Sequence, residues 1–94
     1  MKRVDLVLSE RELDKICKAI DAAGAPGYSV MRHVTGRSAL GGLVSESMDF
    51  SGLGANAHVI VFCDEAVLAK LQADLKPLLE YYGGVGFVSE AEAL

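Results

Sequence analysis

The run Ala57–Cys63 (AHVIVFC) is apolar on both of its alternating sides. Successive side chains of a strand point to opposite faces, so His58, Ile60 and Phe62 lie on one side and Ala57, Val59, Val61 and Cys63 on the other. Both sides need cover. A chain of 94 residues holds one core, because so short a chain buries only about 60–65% of its unfolded surface and has nothing left for a second. One strand face therefore packs internally, and the other is an apolar patch of the kind that self-association buries.

The rest of the chain supplies partners for that strand. Val4–Leu8 is a short, mostly aliphatic strand followed at once by Ser9-Glu10-Arg11-Glu12, an S-x-x-E capping box that starts the first helix. Leu13, Ile16, Cys17 and Ile20 recur on one helical face, and Gly24 with Pro26-Gly27 ends the helix. Tyr28–Val34 is rich in strand formers and reads as a second strand. After the Ala57–Cys63 strand, Asp64 caps a helix striped by Leu68, Leu71, Leu75, Leu78, Leu79 and Tyr82, kinked or weakened at Pro77. Phe87 and Val88 form a short fourth strand, and Ser89–Leu94 is an acidic, frayed tail. The order βαββαβ implies an α+β, ferredoxin-like sandwich, in which a four-stranded antiparallel sheet carries both helices on one face. The open face makes a homo-oligomer the expected assembly.

Composition excludes several classes. The formal charge is −4 and 51% of residues are hydrophobic, the wrong sign for nucleic acid and too apolar for disorder. Lys2 and Arg3 precede no signal-peptide core, since Asp5 and the Ser9–Glu12 run interrupt it, and no stretch is long enough to span a membrane. Cys17 and Cys63 lack a C-x-x-C spacing and read as buried small hydrophobes in a reducing cytoplasm.

Thr35–Asn56 breaks the pattern: more than about 20 residues with glycines mixed among serines and no sustained periodicity, longer than an ordinary connection and so expected to be a flexible functional loop. Within it, Thr35-Gly36-Arg37-Ser38 is the candidate anion-contacting core, with glycines that admit close backbone approach and a guanidinium suited to phosphate or carboxylate. Gly83-Gly84-Val85-Gly86 offers either a nest of amides for an anion or a helix cap and turn. His33, His58 and Cys63 have no spacing that gathers a metal site and read as satisfied core or interface groups. Glu10, Glu12, Asp14, Asp21, Asp64, Glu65 and Asp74 read as solvated helix-start and surface charges, and no serine or cysteine has the setting of a nucleophile, so no catalytic residue is assigned.

This layout resembles the PII superfamily of signalling proteins over nearly the whole chain: Gly27-Tyr28-Ser29-Val30 leads a strand into Thr35-Gly36-Arg37-Ser38, then come strand, helix, the glycine turn Tyr82–Gly86 and Phe87-Val88. The resemblance implies one domain over residues 1–94, a T-loop over 35–56, a B-loop over 82–86 and a homotrimer with nucleotide sites between subunits. It implies that Ser29 helps hold adenine and that Val61 and Phe62 lie near the adenine wall. Gly36, Arg37 and Ser38 would contact phosphates, joined by Gly83 and Gly84, with bicarbonate near Arg37 and Ser38. It implies a non-enzymatic regulator.

Four departures refine the expectation. Val85 stands where ordinary PII proteins carry a B-loop lysine, and the chain stops before their C-terminal arginines, so fewer cations face a γ-phosphate and ADP or AMP should bind at least as well as ATP. The loop has no tyrosine for uridylylation, and Ser38 replaces the glutamine associated with 2-oxoglutarate. The sequence is most similar to the carboxysome-associated, PII-like branch, which implies a bicarbonate transporter or carboxysome-related protein as partner. A metal-binding or structural trimer resembling the CutA family shares the architecture, and an acylphosphatase-like enzyme would need a phosphate loop where only Ser9-Glu10 stands.

Overall fold

Strict alternation of burial along the first strand locates the core. The computed structural model describes residues 1–35 and 55–94. Its elements are β1 (Lys2–Ser9), a 3-10 turn (Glu10–Glu12), α1 (Leu13–Ala22), β2 (Tyr28–Val34), β3 (Asn56–Cys63), α2 (Glu65–Tyr82) and β4 (Val85–Glu90). β1 buries Val4, Leu6 and Leu8 and leaves the residues between them half-buried. β3 runs antiparallel beside it, Val4 facing Val61, Leu6 facing Val59 and Leu8 facing Ala57. These six residues, with Cys63, meet Leu13, Ile16 and Ile20 of α1 and Leu71 and Leu75 of α2 in one core. Each fully buried aliphatic side chain contributes about 1.5–3 kcal/mol, which makes this layer the main source of stability.

The strands lie in the order β2-β3-β1-β4, all adjacent pairs antiparallel. Both helices cover one face, the expected βαββαβ sandwich. The register assigns Ser29 and Met31 of β2, His58, Ile60 and Phe62 of β3, Arg3, Asp5 and Val7 of β1, and Val85 and Phe87 of β4 to the other. On it, Met31, Phe62 and Phe87 are 44%, 43% and 52% exposed.

Three local expectations are corrected. The capping box does not form: Ser9 accepts from the Arg11 amide at 3.3 Å, but Glu12 turns forward to Lys15 at 2.7 Å, and a 3-10 turn precedes the α-helix. The i,i+3 ion pair with Lys15 occupies the Glu12 carboxylate instead. β4 is longer than Phe87-Val88, and Ser89 and Glu90 belong to it rather than to a tail. Its ladder with β1 runs to the Lys2–Glu90 rung, where the two side chains pair, and Ala91 donates to the Met1 carbonyl at 3.0 Å. The helix stripe of α2 is buried only at Leu71 and Leu75, while Tyr82 is surface-lying beneath Lys15, whose ammonium sits 4.2 Å from the ring centroid. α2 is helical across Pro77.

Glycine is required where the chain turns. At the end of α1, Gly24 has φ +86°, donates to Asp21 at 3.0 Å and is followed by Ala25 donating to Ile20 at 3.4 Å, a Schellman closure. Gly84 has φ +132°, and a Cβ there would lie 2.9 Å from Leu79 Cδ2 and 3.0 Å from the Val7 carbonyl oxygen. Gly84→Ala combines a disfavoured backbone with a main-chain clash, so it should cost about 1–3 kcal/mol, read as a lower chemical-denaturation midpoint; an unchanged midpoint would contradict the packing described.

Candidate functional site

The chain leaves the sheet at Thr35 and returns at Ala55, and both flanks are tied to one residue just beyond β1. The Glu10 amide donates to the Ala55 carbonyl at 3.0 Å. Its carboxylate accepts from Arg32 Nε at 2.9 Å and from the His33 amide at 3.0 Å, with His33 Nδ1 at 3.4 Å. Glu10 was expected to be a solvated helix-start charge; instead its side chain is only 14% exposed, because these donors converge on it. The His33 amide, followed by Arg32, holds its carboxyl below the usual carboxylate range despite partial desolvation.

The geometry received by that carboxylate is irregular. The β2–β3 register shifts between Met31 and Val34, and His33 has φ +59°, the one positive value among the described non-glycine residues. A left-handed backbone costs an ordinary residue about 1–2 kcal/mol, though histidine tolerates it better than most. The bulge aims the His33 amide at Glu10. Beside it Asn56 is buried, and its Oδ1 has no hydrogen-bond partner among the described residues.

The sequence-derived residues fall into three groups. Gly36, Arg37 and Ser38 lie outside the described residues, as does the body of the 35–56 loop. Gly83 and Gly84 lie where β4 begins, next to Val7 and Leu8, at the same end of the sheet as Thr35 and Ala55. Because β2 and β4 are opposite edges three strand spacings apart, about 14 Å separates the glycine turn from the Thr35 flank, while the Ala55 flank at β3 is two spacings, about 10 Å, away. The Gly83 amide donates to Leu79 at 2.9 Å and closes α2, so the helix-cap role is filled by that amide.

Ser29 and Phe62 are diagonal neighbours on the open sheet face, since Ser29 faces Ile60 across the β2–β3 ladder. Five positions separate Ser29 from Val34, roughly 17 Å of strand, so Ser29 does not meet the loop flank within one chain. Val61 is fully buried, its side chain in the core against Val4, and lines no surface. The β3 alternation that fills the core therefore offers Phe62 but not Val61 to the outside.

A second polar cluster lies mid-sheet on the open face. Arg3 donates to Asp5 through Nε and Nη2, both at 2.9 Å, and His58 Nε2 lies 2.8 Å from Asp5 Oδ1. His58 is thus the satisfied histidine expected, whereas the His33 side chain is 83% exposed. Register brings the cluster together: Arg3 faces Phe62, Asp5 faces Ile60 and His58 faces Val7, and the Arg3 guanidinium stands 5.9 Å from the Phe62 ring centre. Cys17 and Cys63 are free thiols, and burial pushes the Cys63 thiol up. Among the described residues no three His, Cys, Asp or Glu side chains form a metal-holding group, and no helix is long and apolar enough to cross a membrane.

A ferredoxin-like α+β sandwich with one uncovered sheet face, a glycine turn and the flanks of a long connection at one end is the architecture of PII-type regulatory proteins. Residues 1–94 match the family model of the nitrogen regulatory protein P-II, and the chain belongs to that family. No curated protein matches it. Its structural relatives lie in the PII-like branch. CPII from Thiomonas intermedia K12 bound to ADP and bicarbonate is 24% identical with TM-score 0.74, and the same protein bound to ADP, AMP and bicarbonate is 23% identical with TM-score 0.77. In each case 94% of this chain and 82% of the other are covered. A putative PII-like signalling protein from Thermus thermophilus is 17% identical with TM-score 0.69 over 94% and 82% of the two chains. At such identities the likeness establishes the shared fold.

Arg3, followed by His58, holds the Asp5 carboxyl below its usual range against a partial desolvation penalty. A depressed carboxylate contributes stability present at neutral pH and lost as pH falls through its folded value. The parent chain should therefore lose more stability between about pH 7 and about pH 3 than Asp5→Asn does, measured by urea denaturation at both pH values. Equal losses would show that Asp5 carries no pH-dependent stability.

Proposed function

We propose that this P-II family member is a trimeric, cytoplasmic regulatory protein that binds adenine nucleotide, and bicarbonate with it, between subunits. The observation that carries the reading is the whole-chain family match together with a fold shared with CPII structures that hold ADP, AMP and bicarbonate. The geometry supports it in one further way. Gly83–Gly84 and the Thr35 flank occupy the same end of the sheet but opposite edges, an arrangement that suits a cleft completed by a neighbouring copy.

In this reading Arg37, flanked by Gly36 and Ser38, contacts phosphate, and Arg37 with Ser38 receives bicarbonate. The Gly84 region contributes main chain from across the cleft. Ser29 and Phe62 act from the open face of an adjoining subunit and contact the adenine. Ligand changes the surface that residues 35–56 present to a partner in inorganic-carbon metabolism, a bicarbonate transporter or carboxysome-related protein, and no bond of the nucleotide is broken. With Val85 rather than a cation at the start of β4, diphosphate and monophosphate are bound at least as tightly as triphosphate.

Calorimetric titration of ADP, AMP and ATP, each with and without bicarbonate, tests the proposal. ADP or AMP should bind at least as tightly as ATP, and any effect of bicarbonate on nucleotide affinity must equal that of nucleotide on bicarbonate. Arg37→Ala should weaken nucleotide binding about tenfold or more, the loss of one charge-assisted contact. Absence of heat with all three nucleotides would refute the reading, and a clear ATP preference would refute its diphosphate part.

A further inference from the structure

We infer that Glu10 is a positioning residue: it fixes both flanks of segment 36–54 to the end of β1 and thereby sets the nucleotide affinity of the loop base. The affinity half rests on the function proposed above; the clamp itself does not.

The carboxylate contacts are specific to this residue, whereas the bond to Ala55 is main-chain and persists in Glu10→Ala. Glu10 uses three separate groups, its amide toward Ala55 and its two carboxylate oxygens toward Arg32 and the His33 amide. The β2–β3 ladder joins the two chains at Val34 and Asn56, and Glu10 adds bonds to both beyond it. The side chain is 14% exposed although it is a carboxylate in a 3-10 turn, where solvent would otherwise be its default partner. The acceptor also sits on an unfavourable conformation, since the His33 amide that it receives belongs to a residue at φ +59°. Arg37 lies two residues beyond Thr35, and two residues of chain reach at most about 7 Å. Displacing the His33–Thr35 flank therefore displaces the origin from which the guanidinium must reach a phosphate. Arg32 is held by Glu10 through Nε, so its charge is committed to the clamp.

Acting through the His33 backbone makes the role separable from general stability. Glycine adopts positive φ freely and keeps the amide, so His33→Gly preserves the bulge without needing its acceptor. Four chains decide the matter: the parent, Glu10→Ala, His33→Gly, and Glu10→Ala combined with His33→Gly. Glu10→Ala should speed amide exchange at residue 33 and weaken ADP binding about tenfold, with the assembly state unchanged. His33→Gly alone should bind like the parent, and the double variant should recover most of the loss. Parent-like exchange and affinity in Glu10→Ala would overturn the inference, as would a loss that His33→Gly fails to restore. Should the parent bind no nucleotide, the function proposed above fails and the affinity half with it; exchange at residue 33 then supports or overturns the clamp alone.

Discussion

The constraint on which everything else depends is a central strand that must be dry on both sides. β3 has neighbours on both edges and apolar residues on both faces, and the two helices cover only one of them. The remaining face carries Met31, Ile60, Phe62 and Phe87 around an Arg3–Asp5–His58 cluster. That cluster is internally paired, with a bidentate guanidinium on the carboxylate and an imidazole on one of the same oxygens. Charges that satisfy one another can be covered by a neighbouring copy with less penalty than unpaired ones. A polar centre in an apolar face also limits which way two copies can meet, because misregistered contact would bury Arg3 against hydrocarbon.

The same sheet organises the functional end. Strands β1 and β3 pair as far as Ser9 and Asn56, and just beyond them the Glu10 amide adds a bond to Ala55 while its carboxylate takes Arg32 and the His33 amide. On the opposite edge Gly84 lets α2 end against Val7 and Leu8 with no side chain between them. The glycine turn and the Thr35 flank thus share one end of the sheet on its two opposite edges, the placement on which the proposed inter-subunit cleft rests.

Much of the architecture was legible from periodicity. Alternation in β1 and β3 and the Leu13–Ile16–Ile20 spacing in α1 are local patterns that burial reads directly, so element order, sheet and helix placement followed. The boundaries of β4 did not, because Ser89 and Glu90 are held by main-chain pairing with β1 and by the Glu90–Lys2 ion pair, whose partners stand 88 positions apart in sequence. Glu12 failed as a capping residue because Lys15 offered a nearer partner. At the site, the glycine turn was visible as composition, but Glu10 was not, since its partners are 22 and 23 positions away. An acidic residue closing a strand and an Arg-His pair ending another was the available signal. Asp5 and His58 likewise meet only through register, 53 positions apart in sequence. Val61 and Phe62 differ by one residue of pleat, which turns one side chain into the core and the other onto the open face.

Sedimentation equilibrium of the ligand-free chain at micromolar concentration tests the uncovered face most directly. The account predicts the mass of three associated copies of the 9.9 kDa chain, stable on dilution. A single-copy mass at that concentration would mean that an apolar face of this size stays in water, and the assembly and the cleft built on it would both be contradicted.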